Sequence, residues 1–314
     1  MNDFTEFHDE LRSVAGDLLA KNRDVEWPTL VEAGWAGLEV PEEFGGAGAT
    51  FAEIAVICEE LGRAAAATGY LGSAVLAVGT LNLLAPSDVR DELLTGVASG
   101  GVRLAVAMGA QDFVPDAEGA DHILLVTAGG VSVVDPRAVP RPVLDESRRL
   151  ATVTTDGAAG ALPFAAASAD PLRLLYNRAA VAVAADSLGI AEAMLAATVD
   201  YAKMRQQFGR PIGSFQAVKH ACADMLVQVE VGRELVRAAV ESVAQRRDDP
   251  AASMAKAYAT GMAVDVAGKA MQLHGGIGYT WESGIHVYLK RAALNRSLFG
   301  TPATHRRQLA KRYR

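Results

Sequence analysis

The stretch that decides the fold is Gln272–Thr280, with the sequence QLHGGIGYT, together with an upstream stretch, Tyr201–Ile212, with the sequence YAKMRQQFGRPI. The adjacent glycines, Gly275 and Gly276, let the backbone approach a pyrophosphate with no side chain in the way. The upstream stretch contains an arginine followed closely by Phe-Gly, which offers a guanidinium that pairs with phosphate and an aromatic wall beside it. Both stretches lie between long helical segments, and neither of them identifies a ligand by itself.

Helical patterns dominate both ends of the chain. Apolar residues recur with i, i+3, i+4, i+7 spacing between residues 9 and 19, which predicts an amphipathic helix. Thr50 followed by Glu53 forms a capping box, so a second helix is expected to begin there. An alanine-rich helix is expected over 69–84. The C-terminal half carries wide apolar faces that suit a helix bundle, over residues 171–205, 216–246, 250–274 and 284–298.

Short apolar or β-branched runs, separated by Gly, Pro and Asp, mark the middle of the chain. They are Val102–Met108, His122–Thr127 and Val131–Val134, and Gly129-Gly130 between the last two is a hairpin signal. The sequence therefore predicts a mainly α fold with a small middle β domain. We expect a helical N-terminal domain (1–100), a shortened β domain (101–165) and a C-terminal four-helix bundle (166–314).

Bulk composition excludes several function classes. The chain has 314 residues, a formal net charge of −7, and no Lys/Arg cluster interleaved with aromatic residues, so nucleic acid is not an expected partner. Cys58 and Cys222 lie far apart and outside any CxxC motif, which favours free thiols in the cytoplasm. No HExxH or paired histidine spacing suggests a metal site. The polar N-terminus and the length of the apolar runs favour a protein that is not in the membrane.

A third stretch completes a resemblance to a known family. Trp27–Arg63 contains Gly-Trp, Val-Pro-Glu-Glu and Phe-Gly-Gly-Ala-Gly in that order, and this stretch resembles the first domain of the acyl-CoA dehydrogenases. The two stretches quoted above resemble the flavin-binding C-terminal domain of the same family. The resemblance covers essentially the whole chain. It implies an N-terminal helical domain, a middle β domain and a C-terminal four-helix bundle, with FAD at a subunit interface.

The resemblance also implies which residues bind FAD. Arg205 would pair with the pyrophosphate, Gln207 would hydrogen-bond the cofactor and Phe208 would pack against it. Phe215 and Gln216 would line the same edge. Gln272 and the glycine pair would cradle the other end, reaching the FAD from a neighbouring subunit. These residues are Arg205, Gln207, Phe208, Phe215, Gln216, Gln272, Gly275 and Gly276. His274 is expected to be packed and hydrogen-bonded. The alternative is that these motifs serve only the packing of the bundle.

Two departures from the family pattern affect the functional interpretation. The family carries a Thr-Glu-Pro-x-Ala-Gly-Ser-Asp-type run and a later tryptophan that hold the flavin ring, whereas Val106–Asp116 here reads VAMGAQDFVPD and no tryptophan occurs between residues 36 and 280. Many members also have Glu-Gly-Thr where this chain has Phe299-Gly300-Thr301. In those members the glutamate removes the proton of the substrate.

Without that glutamate the chain has no obvious catalytic base. Phenylalanine cannot accept a proton, and the earlier helix position that some members use, around 177–180, holds no carboxylate either. Glu282 is a weak alternative whose simplest role is structural. Asp186 and Glu192 are expected to be surface or helix-packing carboxylates.

The sequence therefore predicts the base-lacking subunit of an α2β2 acyl-CoA dehydrogenase, similar to the heterotetrameric steroid-catabolic enzymes of actinobacteria. Its expected partners are a second acyl-CoA dehydrogenase subunit that supplies the base, an acyl-CoA substrate and an electron-transferring flavoprotein. Two alternatives stay open at this point. The chain could be a self-sufficient homomeric dehydrogenase with Glu282 as a relocated base, or a non-catalytic scaffold.

Overall fold

The computed structural model of the chain describes residues 5–109, 111–155, 160–166, 170–247 and 250–312. Its N-terminal part is helical, as the sequence predicts. Ala110, within the 106–116 run, lies outside the described residues. The helices of this part are α1 (Thr5–Lys21), α2 (Trp27–Glu32), α3 (Phe51–Ala64), a π-helical segment (Leu71–Ala77) that continues into α4 (Val78–Leu81), and α5 (Asp88–Ala98).

The predicted capping box at the start of α3 is confirmed. Ala52 N–H donates to Thr50 Oγ1 at 3.1 Å, and Thr50 N–H donates to Glu53 Oε2 at 2.8 Å. These bonds satisfy backbone donors that the first helical turn leaves without a partner. The start of α3 is therefore fixed by local sequence.

The middle part contains two small sheets. In the first, β1 (Leu104–Met108) pairs in parallel with β3 (His122–Thr127), which forms an antiparallel hairpin with β4 (Gly130–Val134). The predicted hairpin is confirmed, with Thr127 paired to Gly130. The second sheet consists of β2 (Val114–Pro115), β6 (Leu150–Val153) and β5 (Ala138–Pro140), in that order. The sequence pattern missed this sheet because its strands have only two to four residues.

The C-terminal part is built on α6 (Pro171–Met204), α7 (Gln216–Ala244), α8 (Ala251–His274) and α9 (Ile285–Ser297). The hairpin of β7 (Gln206–Gln207) and β8 (Arg210–Pro211) joins α6 to α7. A fifth helix, α10 (Pro302–Arg312), follows the four that the sequence pattern predicts. It begins where Thr301 Oγ1 accepts a hydrogen bond from Thr304 N–H at 3.3 Å, with proline as the first helical residue.

Helix α6 is long and apolar enough to cross a membrane by length and composition alone. However, 83% of its most apolar window is buried inside the protein. Glycines allow its close packing against α3: a Cβ on Gly62 would lie 1.9 Å from Asp186 O, and a Cβ on Gly189 would lie 1.9 Å from Glu59 O. Helix α6 is therefore the central core helix of the fold.

A buried ion-pair network joins all three parts of the chain. Arg291 on α9 donates from Nη2 to Asp186 Oδ2 on α6 at 2.6 Å, and from Nη1 to Ala66 O in the N-terminal part at 2.6 Å. Arg148 lies 3.0 Å from the same carboxylate, and Asn295 Nδ2 donates to it at 2.6 Å. Burial raises the pKa of Asp186, but the two arginines outweigh that effect and hold this pKa below its usual value. Asp186 is thus not a surface carboxylate.

Candidate cofactor and substrate sites

The two stretches that open the sequence analysis lie against each other. Tyr201, on the last turn of α6, donates its hydroxyl to His274 O at 3.2 Å, and the two rings stack with centroids 4.3 Å apart. His274 Nδ1 is 2.8 Å from Ala270 O, so the ring donates from this nitrogen. His274 is therefore packed and hydrogen-bonded, as the sequence analysis expects.

Arg205 lies at the point where α6 ends and the β7–β8 hairpin begins. Its backbone N–H donates to Tyr201 O at 2.8 Å, and its carbonyl accepts from Ile212 N–H at 2.8 Å. At the tip of the hairpin, Phe208 takes a left-handed backbone with φ = 54° and leaves 91% of its side chain exposed. An exposed aromatic ring on a constrained turn indicates a contact surface for a ligand or another chain.

Phe215 stands behind this tip, just before α7 begins. Its ring centroid is 6.1 Å from that of Phe208, and the guanidinium carbon of Arg210 lies 4.1 Å above it. Gln216 is the exposed first residue of α7. The hairpin and the start of α7 thus present aromatic, cationic and amide groups on one surface.

The glycine pair leaves its backbone open instead of packing against other parts of the described chain. Gly275 has φ = 64° and ψ = −142°, a conformation open essentially only to glycine. A Cβ placed on Gly275 or Gly276 would meet no heavy atom of the described chain within 4 Å, whereas one on Gly278 would lie 2.4 Å from Met271 O. The first two glycines therefore leave backbone open to solvent, where a pyrophosphate would fit.

All eight residues that the resemblance assigns to FAD lie at one end of the helix bundle. This end is formed by the C-termini of α6 and α8 and the N-termini of α7 and α9. Phe215 is half-buried, and the other seven are exposed. These seven are Arg205, Gln207, Phe208, Gln216, Gln272, Gly275 and Gly276. Since the described chain leaves them uncovered, they form an open half-site.

The turn that carries Phe299 lies at the opposite end of α9. This helix has 13 residues, so its two ends are about 20 Å apart at 1.5 Å per residue. Phe299 and Gly300 line a cavity of about 660 Å³ between the N-terminal ends of α6 and α8 and helix α10. Tyr176 lines it as well and donates its hydroxyl to Met108 O at 3.2 Å, which joins the cavity to β1.

Carboxylates are scarce around this cavity. Among the described residues that line it, Asp170 is the only Asp or Glu, and its Oδ1 caps α6 by accepting from Arg173 N–H at 3.1 Å. A neighbouring cavity of about 390 Å³ contains Glu39, which forms an ion pair with Arg178 through both carboxylate oxygens. Sequence reasoning missed Glu39, because 139 residues separate it from Arg178.

Glu282 lies in the exposed turn Trp281–Ser283, at the start of α9. Hydrogen bonds from its own backbone N–H and from the Thr280 side chain lower the pKa of this carboxyl. A catalytic base for a weakly acidic carbon acid needs a desolvated carboxylate with a raised pKa. Glu282 has neither property, and α9 separates it from the Phe299 cavity.

Comparison with known protein families identifies the family of the chain. The model described as "Acyl-CoA dehydrogenase, N-terminal domain" matches residues 5–101, and the one described as "Acyl-CoA dehydrogenase, C-terminal domain" matches residues 173–314. The chain belongs to the acyl-CoA dehydrogenase family. The expected fold is confirmed, and the cofactor of this flavoprotein family is FAD. The geometry of the open glycine pair beside Arg205 fits a pyrophosphate-bearing cofactor of this kind.

Individual relatives are similar over most of their length. Acyl-CoA dehydrogenase IpdE2 of Mycolicibacterium smegmatis is 37% identical over 285 residues, which cover 90% of this chain and 86% of the relative. A chain of a variant of the Tcur3481–Tcur3483 steroid ACAD superposes with a TM-score of 0.88 at 27% identity, covering 98% of both chains. A chain of the ChsE4–ChsE5 complex of Mycobacterium tuberculosis shares the fold, with a TM-score of 0.82 at 24% identity and coverage of 97% and 96%.

Proposed function

We propose that this chain is a subunit of an FAD-dependent acyl-CoA dehydrogenase that introduces an α,β double bond into a bulky, steroid-derived CoA thioester. In this proposal the chain contributes contacts to FAD, and a second, unlike acyl-CoA dehydrogenase subunit supplies the catalytic base. The assembly is an α2β2 heterotetramer in the cytoplasm. The open half-site at the end of the bundle carries the proposal, because it offers phosphate-binding groups that the described chain leaves uncovered.

The carboxylates near Phe299 in the described part of the chain are all engaged, which supports the division of labour between the subunits. Phe299 occupies the position of the family glutamate, and the only carboxylate among the described residues that line its cavity is engaged in capping α6. Glu39 in the adjoining cavity is engaged through both carboxylate oxygens in an ion pair with Arg178. In the proposal the base therefore comes from the partner subunit.

Exposed apolar side chains are an argument that a partner subunit binds this chain. Beside the half-site, large apolar residues leave 48–91% of their side chains exposed, and further ones lie on the outer face of α7. Groups of exposed large apolar side chains are typical of protein–protein contacts. The names of two similar structures also refer to pairs of proteins, Tcur3481–Tcur3483 and ChsE4–ChsE5. The exposed residues are Met204, Phe208, Ile277, Tyr279 and Trp281 at the half-site, and Leu226, Val227 and Val231 on α7.

In the proposed enzyme the residues of this chain bind and orient. Arg205 would pair with the pyrophosphate, the backbone of Gly275 and Gly276 would lie against it, and Phe208 would cover the cofactor from one side. When bound, FAD supplies the hydride acceptor for the β-carbon. The word steroid in the name of one similar structure favours a bulky acyl group, and membership of the family favours an electron-transferring flavoprotein as electron acceptor.

The stoichiometry of FAD tests this proposal. The chain is expressed alone and together with a second, unlike acyl-CoA dehydrogenase chain from the same genome, and mass and FAD content are measured for each product. We expect flavin only in the mixed complex, at about one FAD per pair of unlike chains, since the half-site lacks cover in the lone chain. A lone chain that holds one FAD per subunit and oxidises acyl-CoA would contradict the shared site.

Replacing Glu282 with glutamine tests the self-sufficient alternative. We expect the turnover of the variant complex to stay within about twofold of the wild-type value, because an exposed carboxylate with a lowered pKa contributes little as a base. Turnover is measured with an artificial electron acceptor, and FAD content is checked in parallel. A loss of several orders of magnitude with FAD still bound would identify Glu282 as the base and refute the proposed division of labour.

A further inference from the structure

The turn between α9 and α10 has an unusual backbone. Phe299 has φ = 53° and Gly300 has φ = 94°. Glycine accepts such angles readily, but a left-handed backbone is unfavourable for a bulky residue such as phenylalanine. A conformation of this kind persists only where the surroundings fix it, and it occurs most often at functional sites. The contacts that hold this turn are therefore informative.

Lys256 on α8 provides the first contact. It is completely buried, and its Nζ donates to Asn295 O at 2.9 Å and to Gly300 O at 2.8 Å. No carboxylate of the described residues lies within ion-pairing distance of Nζ, and burial lowers the pKa of this lysine to about 7. An ammonium buried without a counter-ion is costly, and an apolar side chain would fill the same space. The two carbonyls are thus its specific partners.

His305 on α10 provides the second contact. Its Nε2 is 2.9 Å from Phe299 O, and because a carbonyl only accepts, Nε2 carries the proton. Its Nδ1 lies 3.2 Å from the Ser253 hydroxyl. Ser253 and Lys256 are three residues apart and therefore share one face of α8. The carbonyls of both left-handed residues are held from that face, one directly and one through the imidazole.

We propose that Lys256 and His305 are positioning residues that hold the turn at 298–301, so that the side chain of Phe299 forms a fixed apolar wall of the 660 Å³ cavity. This wall accepts an apolar, ring-bearing part of the acyl group. The kinetic part of the inference rests on the proposed function, whereas the structural part does not. Because the base belongs to the partner in that proposal, a loosened wall weakens substrate binding more than it slows the chemical step.

The test compares Lys256→Met with a matched control, Thr260→Val. Thr260 is also completely buried on α8, and its hydroxyl donates to Lys256 O at 2.7 Å without touching the turn. Hydrogen exchange of a peptide that covers 298–301 is measured in the lone chain. We expect it to become at least tenfold faster in Lys256→Met than in Thr260→Val. His305→Gln retains an amide donor for Phe299 O. Its exchange rate at 298–301 is therefore expected to stay closer to that of the wild type than the rate of His305→Leu.

The kinetic readout uses the mixed complex and a CoA thioester with a polycyclic acyl group. We expect KM to rise about fivefold to tenfold in Lys256→Met and His305→Leu, with kcat within about threefold, and little change in Thr260→Val. Equal exchange rates in Lys256→Met and Thr260→Val would overturn the positioning role. Faster exchange of the turn with an unchanged KM would overturn the substrate wall. Absence of FAD or activity from the wild-type complex would instead refute the proposed function, while the exchange measurement still tests the turn.

Discussion

Replacing Arg291 with methionine is expected to lower the free energy of unfolding by about 3–5 kcal/mol, the range typical of breaking a buried ion pair. The guanidinium is 2% exposed and makes hydrogen bonds to Asp186 and to Ala66 O. Without it, Asp186 keeps Arg148 and Asn295 but loses its closest cationic partner, and Ala66 O loses its donor. Methionine fills most of the volume, so the loss comes from the broken buried ion pair and from the unpaired carbonyl of Ala66 rather than from a cavity.

Equilibrium urea unfolding, followed by circular dichroism, measures this change. Arg296→Met is the matched control, because Arg296 is an exposed arginine on the same helix and exposed substitutions usually change stability by less than about 0.5 kcal/mol. Asp186→Asn is expected to destabilise as well, since it leaves two cations near a neutral amide. If Arg291→Met and Arg296→Met unfold at the same urea concentration, the network does not stabilise the junction of the three parts.

The sequence predicted those elements of the fold that neighbouring residues specify by a short-range pattern. Short-range patterns are enough for three features. These are the capping box at Thr50, the Gly129-Gly130 hairpin and the long helices of the C-terminal half. The second sheet and the bounds of the fifth helix, α10, were not predicted. Two-residue strands carry no periodicity, and α10 is polar with few apolar positions to repeat. Such elements form because the rest of the fold already places their partners.

The residues of the candidate sites also fall into two groups, those that a short motif reveals and those that only the folded structure brings together. Motif residues such as Arg205 and Gly275 can be found in the sequence because they lie in short stretches that resemble the family pattern. Contacts such as Glu39 with Arg178, or Lys256 with the carbonyl of Gly300, join residues 139 and 44 positions apart. Only one of these left a trace in the sequence: a lysine between alanines, Ala255-Lys256-Ala257, in an apolar stretch of helix. A charge at a position that should be buried signals a specific partner.

Replacing Arg205 with methionine is expected to weaken the binding of FAD by the mixed complex roughly 10- to 100-fold, because a charge-assisted hydrogen bond contributes about 1.5–3 kcal/mol. The backbone bonds of Arg205 to Tyr201 and Ile212 do not depend on its side chain, so the hairpin should keep its shape. FAD affinity is measured by titrating the flavin-free complex with FAD and following flavin fluorescence.

Lys203→Met is the matched control for this change. Lys203 is an exposed cation two residues earlier, and its Nζ pairs with Asp200 at 3.2 Å. If attraction by nearby positive charge alone held FAD, both substitutions would weaken binding to a similar extent and both effects would fade at high salt. If only Arg205→Met weakens binding, the guanidinium contacts the cofactor, and the FAD site includes this chain. Unchanged affinity in both variants would support the scaffold alternative, in which the glycine pair and the arginine serve the assembly without touching flavin.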